Sequence, residues 1–420
     1  MDKFVINGGK KLSGKIQTDG SKNAALPILA GTILFKKGEV VLRNIPPLND
    51  IYTMKKVLEF IGAKVEYDTQ KMQMHVDCTN ITGNTAPYEL MRRMRASFLV
   101  LGPLLGRLGE ARVSLPGGCS LGARPVDYHI NGFRSMGVEI NEDSGYTIAK
   151  AKNLQGATIH FDRPSHTGTE NIIFGAVLAE GTTRIVNAAC DPEVVDVANF
   201  LNAAGGKVMD AGTSTITIEG VTELKPVEYK VSGDRLVAGT YLCGAAITGG
   251  SVEVSGVNPQ HLTMVSRKLY EMGCTITEKT DAIEIKAPKR LGPVKLVTFP
   301  FPGFPTDLLP CFVALSTIAG GTSKIKETIF EERFSHTMEL RRLGADLTVT
   351  SNEALINGVD RLRGASVMAS DIRAGAGLVL ACLVARGESE LLRVYHIDRG
   401  YHKLEEKLSS IGADIKRIDQ

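Results

Sequence analysis

The chain has 420 residues, 43% of them hydrophobic, and its 49 basic and 46 acidic side chains leave a net charge of +3. That balance provides no general field for nucleic acid or an anionic membrane, and a chain without Trp and with 6% aromatic residues has no obvious base-stacking platform. Seven Cys, an odd number without Cys-x-x-Cys spacing, argue against a disulfide framework or a zinc cluster.

The N-terminal Met-Asp-Lys-Phe has no apolar signal region, and the longest apolar run, near residues 375–385, is shorter than a membrane span. These features describe a soluble, cytoplasmic protein, and its length favours two domains over one. The first elements are two strands, Phe4 to Gly8 and Lys11 to Gln17, joined by a turn. Ser21-Lys22-Asn23 then opens a helix.

From here a unit repeats. A helix-like segment ends in an apolar residue, then Gly, then a strand, at Gly62, Gly137, Gly205, Gly273, Gly344 and Gly412, with intervals of 75, 68, 68, 71 and 68 residues. Regularity of this kind defines an architecture, and Gly is the expected residue just past a helix end. Each unit reads helix, strand, loop, helix, strand, strand, an α/β pattern. The sixth stops at Gln420 without its last strand pair, which residues 1–20 are expected to supply. The expected domains are therefore residues 21–230, with three units, and residues 1–20 plus 231–420, with three more.

Corresponding loops carry the unusual residues. The loop after the strand at Ala111 to Leu115 holds Gly117, Gly118, Cys119 and Arg124, followed by a helix-like segment from Asp127. The two glycines allow close approach to a ligand, and a neighbouring cation lowers a thiol's pKa and activates it. Helix N-termini expose unsatisfied N–H groups and favour anions. Several of them at one end of a pseudo-symmetric domain, with Lys22, Arg95, Arg124, Arg373 and Arg399 added, point to a multiply charged small substrate. Asp307, in Gly303-Phe-Pro-Thr-Asp307, has two readings: a helix cap, or a general base within reach of a substrate hydroxyl. Asp371 has the same two. His396 and His402 fit no metal pattern, and no metal or cofactor is expected.

Taken together, Ser21 to Pro27, Met94 to Ser97, Leu115 to Asp127, Phe304 to Asp307, Phe330 to Phe334 and His396 to Tyr401 resemble the UDP-N-acetylglucosamine enolpyruvyl transferases of the EPSP synthase family, nearly end to end. The resemblance implies a two-domain inside-out α/β barrel fold with three repeated units per domain, closing over a cleft. It implies transfer of enolpyruvyl from phosphoenolpyruvate to a sugar 3′-hydroxyl, the first committed step of peptidoglycan synthesis, with phosphate released by addition–elimination. Cys119 would protonate the donor's methylene carbon and Asp307 would accept the hydroxyl proton. Lys22, Arg124 and Arg399 would hold the donor's phosphate and carboxylate, supported by Arg373. Asn23, Arg95, Pro125, Val126, Asp127, Tyr128, Arg163, Pro164, Ser165, His166, Ile329, Arg333 and Asp371 would serve the nucleotide sugar. The implied partners are these two substrates, with no nucleic acid and no membrane, and a monomer is favoured.

Three positions depart from the family pattern: His166-Thr-Gly-Thr169 replaces Val-Gly-Ala-Thr, Leu236-Val237 replaces Ile-Glu, and Asn49 stands where many members carry Lys. All three fall near the implied acceptor site. Two alternatives follow: an enolpyruvyl transferase with another acceptor, or a non-catalytic UDP-sugar-binding paralogue.

Overall fold

A computed structural model describes residues 2–91, 94–115 and 126–419. Cys119, Arg124 and Pro125 lie outside the described residues, and so does the side chain of Arg95. The described residues form two compact units, a terminal one of residues 2–19 and 233–419 and a central one of residues 20–115 and 126–232.

The six glycines that end the repeat's second helix have φ between 84° and 108°, the left-handed region that an L side chain enters only under strain. At the first of them, Gly62 N–H donates to the Glu59 carbonyl at 3.1 Å and Ala63 N–H to Leu58 at 3.0 Å, which satisfies carbonyls the helix leaves open. The chain then turns directly into a hairpin.

Each repeat forms one four-stranded sheet of constant order. In the third repeat, Thr182–Val186 pairs in parallel with Thr158–His160 and antiparallel with Thr215–Glu219, which pairs with Lys207–Met209. The burial pattern alternates along these strands, as it must when only one face of a sheet is covered. The parallel edge strand comes from the preceding repeat, so each unit closes on itself. In the central unit Glu228–Lys230 returns to pair with Glu39–Arg43. In the terminal unit Ser13–Gln17 pairs with Ser251–Ser255, while Lys3–Asn7 lies between Glu388–Leu392 and Asp414–Ile418. Lys3–Asn7 thus completes the sheet of the last repeat, and Ser13–Gln17, like every other parallel edge strand, is passed on to the next one. The reason is that a sheet edge exposes unpaired N–H and C=O groups, and an exchanged strand satisfies them.

The first helix of each repeat is buried nearly all round. In the central unit these are Lys22–Gly31, Leu101–Leu108 and His166–Ala176, and in the terminal unit Arg235–Thr248, Leu309–Ser316 and Ile372–Cys382. A helix without a polar face belongs in an interior. The helices pack so closely that a Cβ on Gly377 would lie 2.7 Å from the Pro310 carbonyl oxygen, and one on Gly102 would lie 2.2 Å from that of Asn171. Helices inside and sheets outside make this the inside-out α/β arrangement.

Candidate active site

In the terminal unit the site is built around Asp307, in the 3₁₀ turn Thr306–Leu308 that leads into Leu309–Ser316. Pro305 occupies the cap position of this turn and makes no side-chain capping bond. Arg333 Nη2 bonds the Asp307 Oδ1, and Arg373 Nε donates to its Oδ2 at 3.0 Å. Asp371, by contrast, caps Ile372–Cys382: its Oδ1 accepts from the N–H groups of Arg373 at 2.9 Å and Ala374 at 3.0 Å. Of the two readings left open for these aspartates, the helix-cap role falls to Asp371.

Both arginines are held rigidly. Arg333 is 1% exposed and donates from Nε to the Thr306 carbonyl and hydroxyl, each at 3.1 Å. Arg373 lies with its guanidinium 5.3 Å from the centre of the Tyr401 ring. The Tyr401 and Thr240 hydroxyls are 2.9 Å apart, and Thr240 is anchored to the Leu236 carbonyl at 2.9 Å. The motif at Leu236-Val237-Ala-Gly-Thr240 therefore acts on Asp307 through Tyr401 and Arg373. Glu327, buried in the same unit, accepts from the hydroxyls of Thr298 and Thr306 at 2.9 and 2.7 Å and from Phe330 N–H at 3.1 Å. It fixes the loop that carries half-buried Ile329. Behind Arg333, His336 Nδ1 donates to the Arg333 carbonyl at 3.0 Å, and burial, aided by the arginine's charge, pulls its pKa down to about 4. Half-buried Arg399 ends the turn Val394–Arg399.

In the central unit, Ser21 caps Lys22–Gly31 by accepting from Ala24 N–H. Lys22 is buried in the first turn with its ammonium 3.5 Å from Asp50 Oδ2, and Asn23 is half-buried beside it. A buried ammonium needs such a partner, because desolvation disfavours its charge. Val126 and Tyr128 are half-buried, the Tyr128 ring lies 5.1 Å from that of Phe161, and Asp127 is exposed at the start of Asp127–Ser135.

Ser165 caps His166–Ala176 by accepting from Gly168 N–H at 3.2 Å, while Arg163 and Pro164 ahead of it are exposed. The loop after Thr182–Val186 folds back on this helix start through Ala189 N–H, which donates to Thr169 at 3.0 Å. His166 consequently meets carboxylates. Its Nε2 is 3.1 Å from Glu170 Oε1 and its Nδ1 is 3.9 Å from Asp191 Oδ1. One ligand-type atom each from His166, Asp191 and Glu193 lie within 4.8 Å of one another. Burial alone would lower the imidazole's pKa; Glu170, Asp191 and Glu193 outweigh it and raise the value to about 10.

Asp307, Arg333, Arg373 and Asp371 thus form one group, and Ser165 and His166 another. Sequence reasoning gave no role to Asp50, Glu327 and the carboxylates around His166, although Asp50, Asp191, Glu193 and Glu327 stand in the corresponding stretches after the first strands and Glu170 lies at four-residue helical spacing from His166.

A sequence profile of the family described as EPSP synthase (3-phosphoshikimate 1-carboxyvinyltransferase) matches residues 6–408. A UDP-N-acetylglucosamine 1-carboxyvinyltransferase of Dichelobacter nodosus is 50% identical over 420 residues, covering 100% of both chains. The protein of the same name in Myxococcus xanthus is 50% identical over 418 residues, covering 99% of each. Among solved structures, the enolpyruvyl transferase NikO from Streptomyces tendae aligns with a TM-score of 0.88 at 24% identity, over 99% of this chain and 98% of its own. An EPSP synthase from Acinetobacter baumannii aligns at 0.77 and 19% identity over the whole of both chains.

Proposed function

The chain belongs to the EPSP synthase family, and on that premise we propose that it transfers the enolpyruvyl group of phosphoenolpyruvate to the 3′-hydroxyl of UDP-N-acetylglucosamine, releasing phosphate. This is the step that commits the sugar to peptidoglycan, and both substrates are metabolites of the cytoplasm. The observation that carries the reading is the 50% identity, over the whole length of both aligned chains, to a protein named for this reaction.

In the addition step Asp307 takes the proton of the sugar hydroxyl as its oxygen attacks C2 of phosphoenolpyruvate. Cys119 delivers a proton to C3. The Cys119 thiolate left by that step takes a proton back from C3, which expels phosphate and restores the vinyl group. The donor brings a phosphate and a carboxylate, and Lys22, Arg124 and Arg399 are assigned to them, since charge-assisted contacts to such groups are strong. Arg373 has a positioning role, as it holds Asp307. Arg333 and Asp371 keep the same group in register, and Ile329 lines the sugar. Asn23, Arg95, Pro125, Val126, Asp127, Tyr128, Arg163, Pro164, Ser165 and His166 are assigned to the nucleotide sugar. The geometry in favour is the Asp307 carboxylate held by two guanidiniums, because a general base must be oriented before it can act.

A phosphate-release assay tests the reading. Release is expected only with phosphoenolpyruvate and UDP-N-acetylglucosamine together. Release with a different nucleotide sugar, and none with this one, would reassign the acceptor; binding of the sugar without release would make the chain a non-catalytic binder.

A further inference from the structure

One guanidinium in the terminal unit ties together the two turns that flank Arg399. Arg417 lies in the last strand, Asp414–Ile418. Its Nη2 and Nη1 donate to the two carboxylate oxygens of Asp398 at 2.5 and 3.1 Å, and its Nε donates to Glu405 at 2.7 Å. Nη1 also reaches Asp2 at 3.1 Å, and the guanidinium lies 5.1 Å from the centre of the Phe4 ring. Serving two carboxylates in this way takes a planar group with several fixed donors, which Lys does not have. Glu405 is 8% exposed, so its bond is not one of the solvated surface bridges that contribute little.

Asp398 precedes Arg399 in the turn Val394–Arg399, and Glu405 stands in the first turn of Leu404–Ser410. Arg417 therefore bridges the two ends of residues 399–404. That loop carries Arg399, and it carries Tyr401, which meets Arg373 and Thr240. It is closely fitted: the N–H groups of Gly400 and Tyr401 both donate to the Ile397 carbonyl at 2.9 Å, and a Cβ on Gly400 would lie 2.5 Å from Ile372. Lys403, between the two clamped acids, has a φ of 49°. A left-handed backbone at such a residue persists only where neighbouring contacts impose it, and the Arg417 fork supplies contacts on either side.

On the reading that Arg399 holds the donor, we propose that Arg417 is a positioning residue for phosphoenolpyruvate, fastening Asp398 and Glu405 to one strand so that the loop between them keeps Arg399 in place. It acts through that loop and has no part in the chemistry. A cation that receives a small anion has to be held in advance, because misplacement by about 1 Å can cost about a hundredfold. Asp2 provides an internal control, since it bonds the same Nη1 from outside the loop.

The test is the KM for each substrate at saturation of the other, read by phosphate release for the wild type, R417Q, R417K, D398N, E405Q and D2N. R417Q is expected to raise the KM for phosphoenolpyruvate about tenfold and to leave that for UDP-N-acetylglucosamine within about twofold. D398N and E405Q each weaken one arm of the fork and should raise the donor KM a few-fold. R417K keeps the charge without the fork and should fall between R417Q and the wild type. D2N should leave both KM values as they are. A donor KM unchanged in R417Q, donor and acceptor KM rising together, or D2N matching R417Q overturns the inference. Should R417Q fail to fold, D398N and E405Q decide: if neither raises the donor KM, the inference is overturned. A wild type that releases no phosphate from phosphoenolpyruvate overturns the donor reading itself.

Discussion

His166 in the central unit and His336 in the terminal unit are the same side chain held in opposite charge states. His166 meets Glu170, Asp191 and Glu193, and its pKa is raised to about 10. His336 is enclosed behind Arg333, with Nδ1 on a backbone carbonyl and no hydrogen-bond partner for Nε2 among the described residues, and its pKa is lowered to about 4. Burial penalises both cations, so the difference comes from the company each keeps. Around His166 the charges are negative and a cation is retained. Around His336 burial prevails: Asp371 alone among the neighbouring charges favours the cation, Arg333 opposes it, and the ring stays neutral. The pair shows how one repeated scaffold builds an anion held by cations in one unit and a cation held by anions in the other.

Asp307 is where this comparison can be broken most severely. D307N keeps the shape but removes the base and the negative charge the arginines surround, and kcat for phosphate release is expected to fall about 10³-fold. A loss below tenfold would leave the terminal cluster with a structural role only. Removing a cation instead tests its stability: R333A takes a fully buried guanidinium away from Asp307 and Thr306 and should cost about 3 kcal/mol in urea unfolding.

The two histidines should also differ in how pH acts on the fold. His336 binds its proton less readily folded than unfolded, so its contribution is complete above pH 6.5 and is lost as pH falls toward 4. Urea unfolding should show stability falling between pH 6.5 and 5, and H336Q should remove this part of the slope. His166 has the reverse sign: its contribution is complete below 6.5 and is lost as pH rises through 10. An NMR titration showing His166 still protonated at pH 8 and His336 neutral at pH 5.5 would sharpen the contrast; equal titration of the two would end it. The smallest effect is expected from T240V, which deprives the Tyr401 hydroxyl of its partner two contacts away from Asp307. It should cost about 1 kcal/mol of stability and leave kcat within a few-fold.

Much of the fold was legible because its signals are local. The six glycines mark helix ends, and each has a left-handed backbone, because no other residue enters that conformation without strain. Ser21-Lys22-Asn23 reads as a helix start in the sequence, and in the structure Ser21 caps that helix. Less was legible where chemistry depends on contacts between elements. Asp307 and Asp371 look alike in sequence, each a short polar residue at a helix start, and the tertiary structure separates them: one caps, and the other is claimed by Arg333 and Arg373 from distant positions.

By itself the sequence determined the α/β class, the six repeats and the family, since backbone conformation, hydrophobic periodicity and motif spacing are written along the chain. Only the tertiary structure decided which sheet receives Ser13–Gln17, that Asp371 caps a helix while two arginines bond Asp307, and that His166 pairs with carboxylates while His336 bonds a backbone carbonyl. Strand exchange and charge state are set by what the folded chain brings within a few ångströms, and that proximity has no counterpart in sequence distance.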